Sequence, residues 1–400
     1  MMRINGIGCS LIDNLYTPVD FNSTSYKKWT EAGGIQNGII TGGLIFGDDL
    51  ETSSGIPYSS ILDEVTGGGI IPSKNIGGPG VVAVIHISQI LNSDGHEIGF
   101  IGSRGTDLDG EYLSRKLGLF NIDSSNYITA TGHTPFTDVL ADPDYNCGNG
   151  ERSFINYIGA AGEMSTDMIP SSFFEADILI FGGTGLTPKI HDDLSILLRK
   201  GKLKGAINCV NTVYDFRNQK KDPAGPWPLV SERKDFGLID LLITDNEEAL
   251  RISGCDKKSD AATFFMEAGT GSVIITHGEE DIICCSDGRL FTEENSFTIP
   301  VSAKAGNIIR NTPAGEADTT GCGDNFAGGV YASVIRQIER AETNGKPSLK
   351  KAAAFGAVSG GFAGQYLGGV FYEKNDGEKL AKILPLLRAY EKQTGESYAW

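Results

Sequence analysis

No apolar run in this sequence approaches the roughly 18 residues of a membrane helix, and no Lys/Arg run is long enough to track a phosphate backbone. Lys and Arg total 34 against 51 Asp and Glu, a net charge of −17. Nucleic acid is therefore not an expected partner, and an anionic ligand has to be held by local amides or arginine rather than by the overall field. Cysteine is scarce: Cys9, Cys147, Cys209, Cys255, Cys284, Cys285 and Cys322, an odd number without a CxxC. They read as buried free thiols of a reducing compartment. The opening MMRINGIGCSLID is too short and too polar for a signal peptide, so a cytoplasmic protein is expected.

The common nucleotide motifs are missing too. Gly201-Lys202 is followed by Leu203 and Gly345-Lys346 by Pro347, so neither forms a P-loop. The dinucleotide pattern GxGxxG fails at Leu11 after Gly6 and at Phe326 after Gly321. His86 and His277 fall in apolar elements, and neither has a metal-ligand companion at useful spacing.

What is present is a chain of 400 residues, 40% apolar, which can bury a large α/β core. Strand-like runs such as ADILIFGG, LIDLLIT and GSVIITHG alternate with helical patterns over 80–92, 109–118, 188–200, 246–253 and 258–268. These runs are continuous rather than alternating, which predicts a doubly wound, mostly parallel sheet covered on both faces, formed by 1–16, 77–126 and 161–400. Residues 17–76 and 127–160 break the rhythm. They are rich in Gly, Thr, Ser and Asn with short β-prone runs, and are expected to form an inserted, smaller β layer.

The stretch EADTTGCGDNFAGG, 316–329, concentrates the chemistry. Gly321 and Gly323 leave the backbone open to close approach, and the sequence after them has helical spacing at Phe326, Val330, Val334 and Ile338. Amides of Gly321 to Asp324 at a helix N-terminus suit a phosphate or the charge of a transferring phosphoryl group. Asp324 beside them can take a proton from an attacking hydroxyl. The same residues also suit an ordinary helix start, with Asp324 serving only the dipole.

DTTGCGD, 318–324, resembles the C-terminal signature of the ribokinase-like (PfkB) sugar kinase family, usually DTTGAGD before a small-residue helix. Other segments follow in that family's order. The opening strand ends in Asp13, GGPG at 77–80 resembles the Gly-Gly substrate loop, and Gly105, Asp107 and Gly110 resemble its GxDxxG segment. GERSFINYIGA looks like the second lid portion, TDNEEALRISG like the Asn-x-x-Glu helix start, and IITHG like the nucleotide-side Thr-x-Gly.

The resemblance implies an α/β/α core under a small β-sheet lid that often forms a dimer contact. It implies Mg2+- and ATP-dependent phosphoryl transfer to a hydroxymethyl group of a sugar or related small molecule. Asp324 would be the base and Gly321, Cys322 and Gly323 the anion hole. Asp13, Gly77 and Gly78 would bind the acceptor, with lid residue Arg152 a candidate for acceptor or phosphate. Glu248 would organise magnesium water, and Asp245, Thr276, Gly278 and Phe355 would face the nucleotide. Asp318 and Thr320 match positions that hold a monovalent cation, such as K+, in many members. Two departures bear on the acceptor: Val82 stands where Asn is usual, and 17–76 is longer than the usual first lid segment. These favour a nucleoside or an unusual polyol as alternative acceptors, and a catalytically silent sugar-binding regulator is a further reading. Cys322 replaces the usual Ala, and the helix N-terminus is expected to favour its thiolate.

Overall fold

The computed structural model describes every residue except 93, 149, 314, 341–344 and 399. The opening run RINGIGCSLI, read as one strand, is two: β1 (Arg3–Gly8) and β2 (Leu11–Tyr16), which enter different sheets. Gly8 makes the break. Its φ is +148°, and the place a Cβ would take is filled by the Gly182 carbonyl, so only glycine lets the chain turn away there.

The strands that follow are β3 (Leu44–Phe46), β4 (Ser73–Gly77), β5 (Glu97–Ile101), a short pair β6 (Ser103–Arg104) and β7 (Ile128–Thr129), then β8 (Phe136–Asp142) and β9 (Glu151–Tyr157). The second half adds β10 (Ile178–Gly182), β11 (Ile207–Asn211), β12 (Leu241–Asp245), β13 (Ser272–Thr276), β14 (Ile282–Ser286) and β15 (Glu294–Ile299). The large sheet has the order β15-β14-β13-β12-β11-β10-β1-β5, parallel from β5 to β13 and antiparallel across β13-β14-β15.

Strand β10 explains the continuous apolar pattern. Ile178 and Ile180 enter one core and Leu179 and Phe181 the other. The first core is roofed by helices Pro79–Ile90, Cys322–Arg340, Leu349–Ala363 and Glu378–Thr394, the second by Leu194–Leu203, Asn246–Ser253 and Lys258–Glu267. The expected helix 188–200 is interrupted at Asp193, giving Pro188–Asp192 and Leu194–Leu203.

A second sheet, β3-β9-β8-β2-β4, holds residues 11–16, which sequence reading had grouped with the large sheet. Segment 17–76 is also less β than expected: it carries helices Thr24–Lys28, Gly47–Ser54 and Tyr58–Thr66 besides β3 and β4. Tyr58, Ile61 and Val65 are all buried at helical spacing, a pattern that outweighs the Gly/Ser/Thr-rich composition. Strand alternation divides this sheet into two faces. Tyr16, Leu140, Ile155 and Tyr157 pack beneath the three helices in a core of their own, while Asp13, Leu15 and Arg152 lie on the opposite face. Among the described residues, no helix is long and apolar enough to cross a membrane.

Candidate active site

The loop before helix Cys322–Arg340 is tied by the Asp318 carboxylate, which accepts the backbone N–H of Thr320 (2.7 Å) and of Gly368 (3.3 Å). Gly321 sits at φ +75°, and a Cβ there would lie 2.6 Å from Gly369 Cα. Glycine is therefore required twice, by the left-handed backbone and by the close approach. The helix begins at Cys322, so Cys322 and Gly323 are its first turn rather than part of the preceding loop. The N–H of Cys322 reaches Thr319 O (3.2 Å) and that of Asn325 reaches Gly321 O (2.9 Å). The amides of Gly323 and Asp324 between them meet no acceptor among the described residues. A Cβ on Gly323 would meet no atom within 4 Å, so the head of the helix is uncrowded at this residue.

Asp324 lies in that first turn, and burial pushes its carboxyl up to about 7. Asp13, on the inward face of β2, is likewise pushed up to about 7, by burial first and then by Asp318 and Asp324. Asp13 thus faces the charge of two carboxylates that lie some 300 positions along the chain. A Cβ on Gly77 would overlap the Asp13 carboxylate, so the bare backbone of Gly77 makes room for it. Gly78 precedes helix Pro79–Ile90, and Val82 on that helix is buried at 2% exposure in the large core.

Arg152, on the same face as Asp13, reaches down to the loop. Its guanidinium donates to Thr320 Oγ1 (2.6 Å) and lies 3.3 Å from Asp318 Oδ1. It therefore meets the two residues expected at a monovalent cation, and no acceptor or phosphate contact is needed to hold it. Asp107 serves the scaffold: it caps helix Leu108–Leu117 through Gly110 N–H (2.8 Å) and accepts Thr134 N–H (2.8 Å) from the second inserted segment.

At the carboxyl ends of β12 and β13, Asp245 and Thr276 are register partners. Asp245 caps the next helix by accepting Glu248 N–H (2.8 Å), and Glu248 returns a contact to Asp245 N–H (3.4 Å), a capping box. Glu248 also accepts the Thr212 hydroxyl and is buried, and burial together with Asp245 holds its carboxyl above the ordinary range. Gly278 has open space where a Cβ would stand. Phe355 does not reach this region as a free ring. It is 2% exposed and stacked on Trp400, with centroids 3.8 Å apart, so it fills core.

The pfkB family carbohydrate kinase model matches residues 72–373. The chain belongs to the PfkB family of carbohydrate kinases. Members of this family are phosphotransferases that act on hydroxyl groups, and this PfkB kinase is an enzyme of that class. It is 24% identical over 242 residues, 60% of this chain and 75% of the relative, to a cytidine kinase of Thermococcus kodakarensis. An adenosine kinase from Schistosoma mansoni, solved with 2-fluoroadenosine, shares the fold at TM-score 0.66 and 16% identity, covering 92% of this chain and 97% of that one. A chain from E. coli described as a ribokinase II, solved with ATP and Mg2+, does so at TM-score 0.64 and 16% identity, covering 97% and 99%.

In this PfkB kinase the expected reactive thiolate at Cys322 is overturned. Burial, then Asp318 and Asp324, push the thiol up to about 12, and its sulfur packs toward the end of helix Leu349–Ala363 at Gly364. Burial, with the nearby carboxylates added, outweighs the helix dipole. Alkylation of Cys322 at pH 7.5 is therefore expected to be slower than that of the exposed Cys147, measured by peptide mass spectrometry over time. Faster labelling of Cys322 would contradict this burial.

Sequence reading also missed several residues around the site: Asn325, Thr212, Asn75 and the loop Tyr366–Gly369. Asn75 pairs with Asp13 across β4 and β2 and donates to Leu367 O (3.2 Å). Only its place in a short β-prone run signalled it.

Proposed function

We propose that this kinase transfers the γ-phosphoryl group of ATP to a hydroxymethyl group of a sugar or related small molecule, with Asp324 as general base. The observation that carries the reading is the place of Asp324 at a helix head whose Gly323 and Asp324 amides meet no acceptor among the described residues, with burial raising its carboxyl to about 7. A base poised near neutrality accepts a hydroxyl proton as the acceptor oxygen bonds to phosphorus and the bond to ADP breaks. The amides of Gly323 and Asp324 then face the charge on the transferring group. Residues 17–76 and 127–160, together with β2, act as a lid, and Asp13 on its inner face holds acceptor hydroxyls. Asp245, Glu248, Thr276 and Gly278 line the nucleotide side.

The donor set fits Mg2+: Glu248 and the cleft carboxylates are hard oxygen ligands, and Glu248 would hold the ion through water. Bound there, Mg2+ supplies positive charge against the phosphates. The set does not fit K+ at Asp318. That carboxylate is already engaged by Arg152 and two backbone N–H groups, so the guanidinium supplies the positive charge at this point.

A nucleoside acceptor is the second reading. The cleft beneath the lid has a mixed lining, with Leu15, Ala141 and Leu367 beside Asp142, Glu151, Arg152 and Asp318, and the cytidine kinase relative supports this reading. The unaltered Asp324 and glycines speak against a silent regulator. Measuring ATP consumption with Mg2+ against sugars, polyols and nucleosides tests all three. Turnover with one class is expected; acceptor binding without ATP consumption by any would leave the silent binder standing.

Asp13→Ala is expected to raise the acceptor KM at least about tenfold, the scale of losing hydrogen bonds to a charged group, with the ATP KM little changed. Equal changes in both KM values would take Asp13 off the acceptor side.

A further inference from the structure

Behind the helix head lies a polar cluster that neither the family signature nor the mechanism uses. Asn325 follows Asp324 directly and is wholly buried, as is His86. Its Nδ2 donates to Gly321 O (2.8 Å) and to Gly369 O (2.8 Å), which fixes the amide so that Oδ1 is the acceptor on the other side. Oδ1 receives Lys379 Nζ (2.9 Å) and His86 Nδ1 (2.8 Å), so the histidine carries its proton on Nδ1. Lys379 is itself 1% exposed and also donates to Gln89 Oε1 (2.9 Å), while Gln89 Nε2 holds Phe371 O (2.7 Å).

The cluster joins four parts of the chain: helix Pro79–Ile90, the head of helix Cys322–Arg340, the loop around Gly369 and helix Glu378–Thr394. Its output is specific. The two carbonyls held by Asn325 belong to Gly321 and Gly369, the two glycines whose backbones meet at the anion-binding turn. Burying a lysine, an imidazole and an amide in an otherwise apolar core costs free energy, the more so as His86 Nε2 meets no partner among the described residues, and the set would be expendable if it only filled space.

We propose that Asn325, held by His86 and Lys379, is the positioning residue of the anion-binding turn, fixing Gly321 against Gly369 so that the amides of Gly323 and Asp324 stay aimed at the transferring phosphoryl group. For its kinetic arm this rests on the kinase reading above; its structural arm does not.

Asn325→Asp is the informative change. It keeps the size of the side chain and the acceptor toward His86 and Lys379, but puts an oxygen against two carbonyls where an N–H₂ donated. The lysine opposite favours the new carboxylate, so folding should survive. In the full chain without ligand, amide hydrogen exchange over 318–325 is expected to quicken at least about tenfold, while β10 to β12 stay as protected as in the wild type. With an acceptor found by the screen, kcat per ATP-binding site should fall between about tenfold and a hundredfold, the scale of a mispositioned oxyanion donor. The acceptor KM should stay within about twofold, because the Asp13 side is untouched. Lys379→Met removes one holder and a buried charge, and should give a smaller fall in the same direction. If Asn325→Asp does not fold, Lys379→Met and His86→Phe carry the test. Unchanged exchange over 318–325 in the folding variants overturns the proposal, as does unchanged kcat per binding site. If the wild type turns over no acceptor, the kinase reading fails and the exchange measurement alone decides this inference.

Discussion

Asp324→Asn is expected to lower kcat by about 10²- to 10⁴-fold, the usual contribution of a positioned general base. Asparagine keeps the shape and cannot accept the hydroxyl proton, while the amides of Gly323 and Asp324 remain for the phosphates, so ATP binding should persist. In the wild type, kcat/KM should rise with pH and level off above about 7, because Asp324 must be ionised to act and burial holds its carboxyl there. The stability effect has the opposite sense. A carboxyl raised in the folded state contributes stability that is fully present below its unfolded value of about 4 and is lost as pH climbs through about 7. Asp13 has the same sign. The Asn variant should therefore lose less stability than the wild type between those limits, and a thermal melt at a series of pH values checks it. A variant with wild-type kcat and a lowered Tm would leave Asp324 only a helix cap.

Gly321→Ala should harm both folding and turnover. At φ +75° an alanine is strained by about 1–2 kcal/mol. Its Cβ would also press on Gly369 Cα at 2.6 Å, where backbone on both sides leaves nothing flexible to yield. A loss of about 2–4 kcal/mol in total is expected by denaturant titration. Because the turn must shift to relieve the contact, kcat should fall by about 10²-fold even in the folded fraction. The same change at Gly395, also at positive φ but with nothing within 4 Å, should show the strain alone. Equal stability losses at the two positions would remove the contact with Gly369 from the explanation.

The large sheet was legible because its strands are covered on both faces, which writes an unbroken apolar run into β10, β12 and β13. The split after Gly8 was not, since it depends on the Gly182 carbonyl, far along the chain. In 17–76 a count of turn-forming residues hid the helical spacing of Tyr58, Ile61 and Val65. At the site, DTTGCGD was readable because phosphate chemistry needs those residue types side by side. Cys322 was misjudged because the helix head was weighed without the burial of its thiol and the two carboxylates of its own motif. Phe355 was misjudged because it was placed by its neighbours in sequence, while its environment is set by Trp400. Asn325 was silent for the same cause. Its partners Gly369, Lys379 and His86 lie 44, 54 and 239 positions away.

The helices over the outer face of the smaller sheet change what kind of moving part it can be. A bare sheet bends along its strands; a sheet backed by Trp29, Leu50, Ile61 and their neighbours has a packed interior that resists bending. If this body closes over the cleft as the proposed lid, it would swing as one unit about its connections to the larger sheet. Arg152 rides on its inner surface, so such a swing would carry the clasp on Asp318 and Thr320 with it.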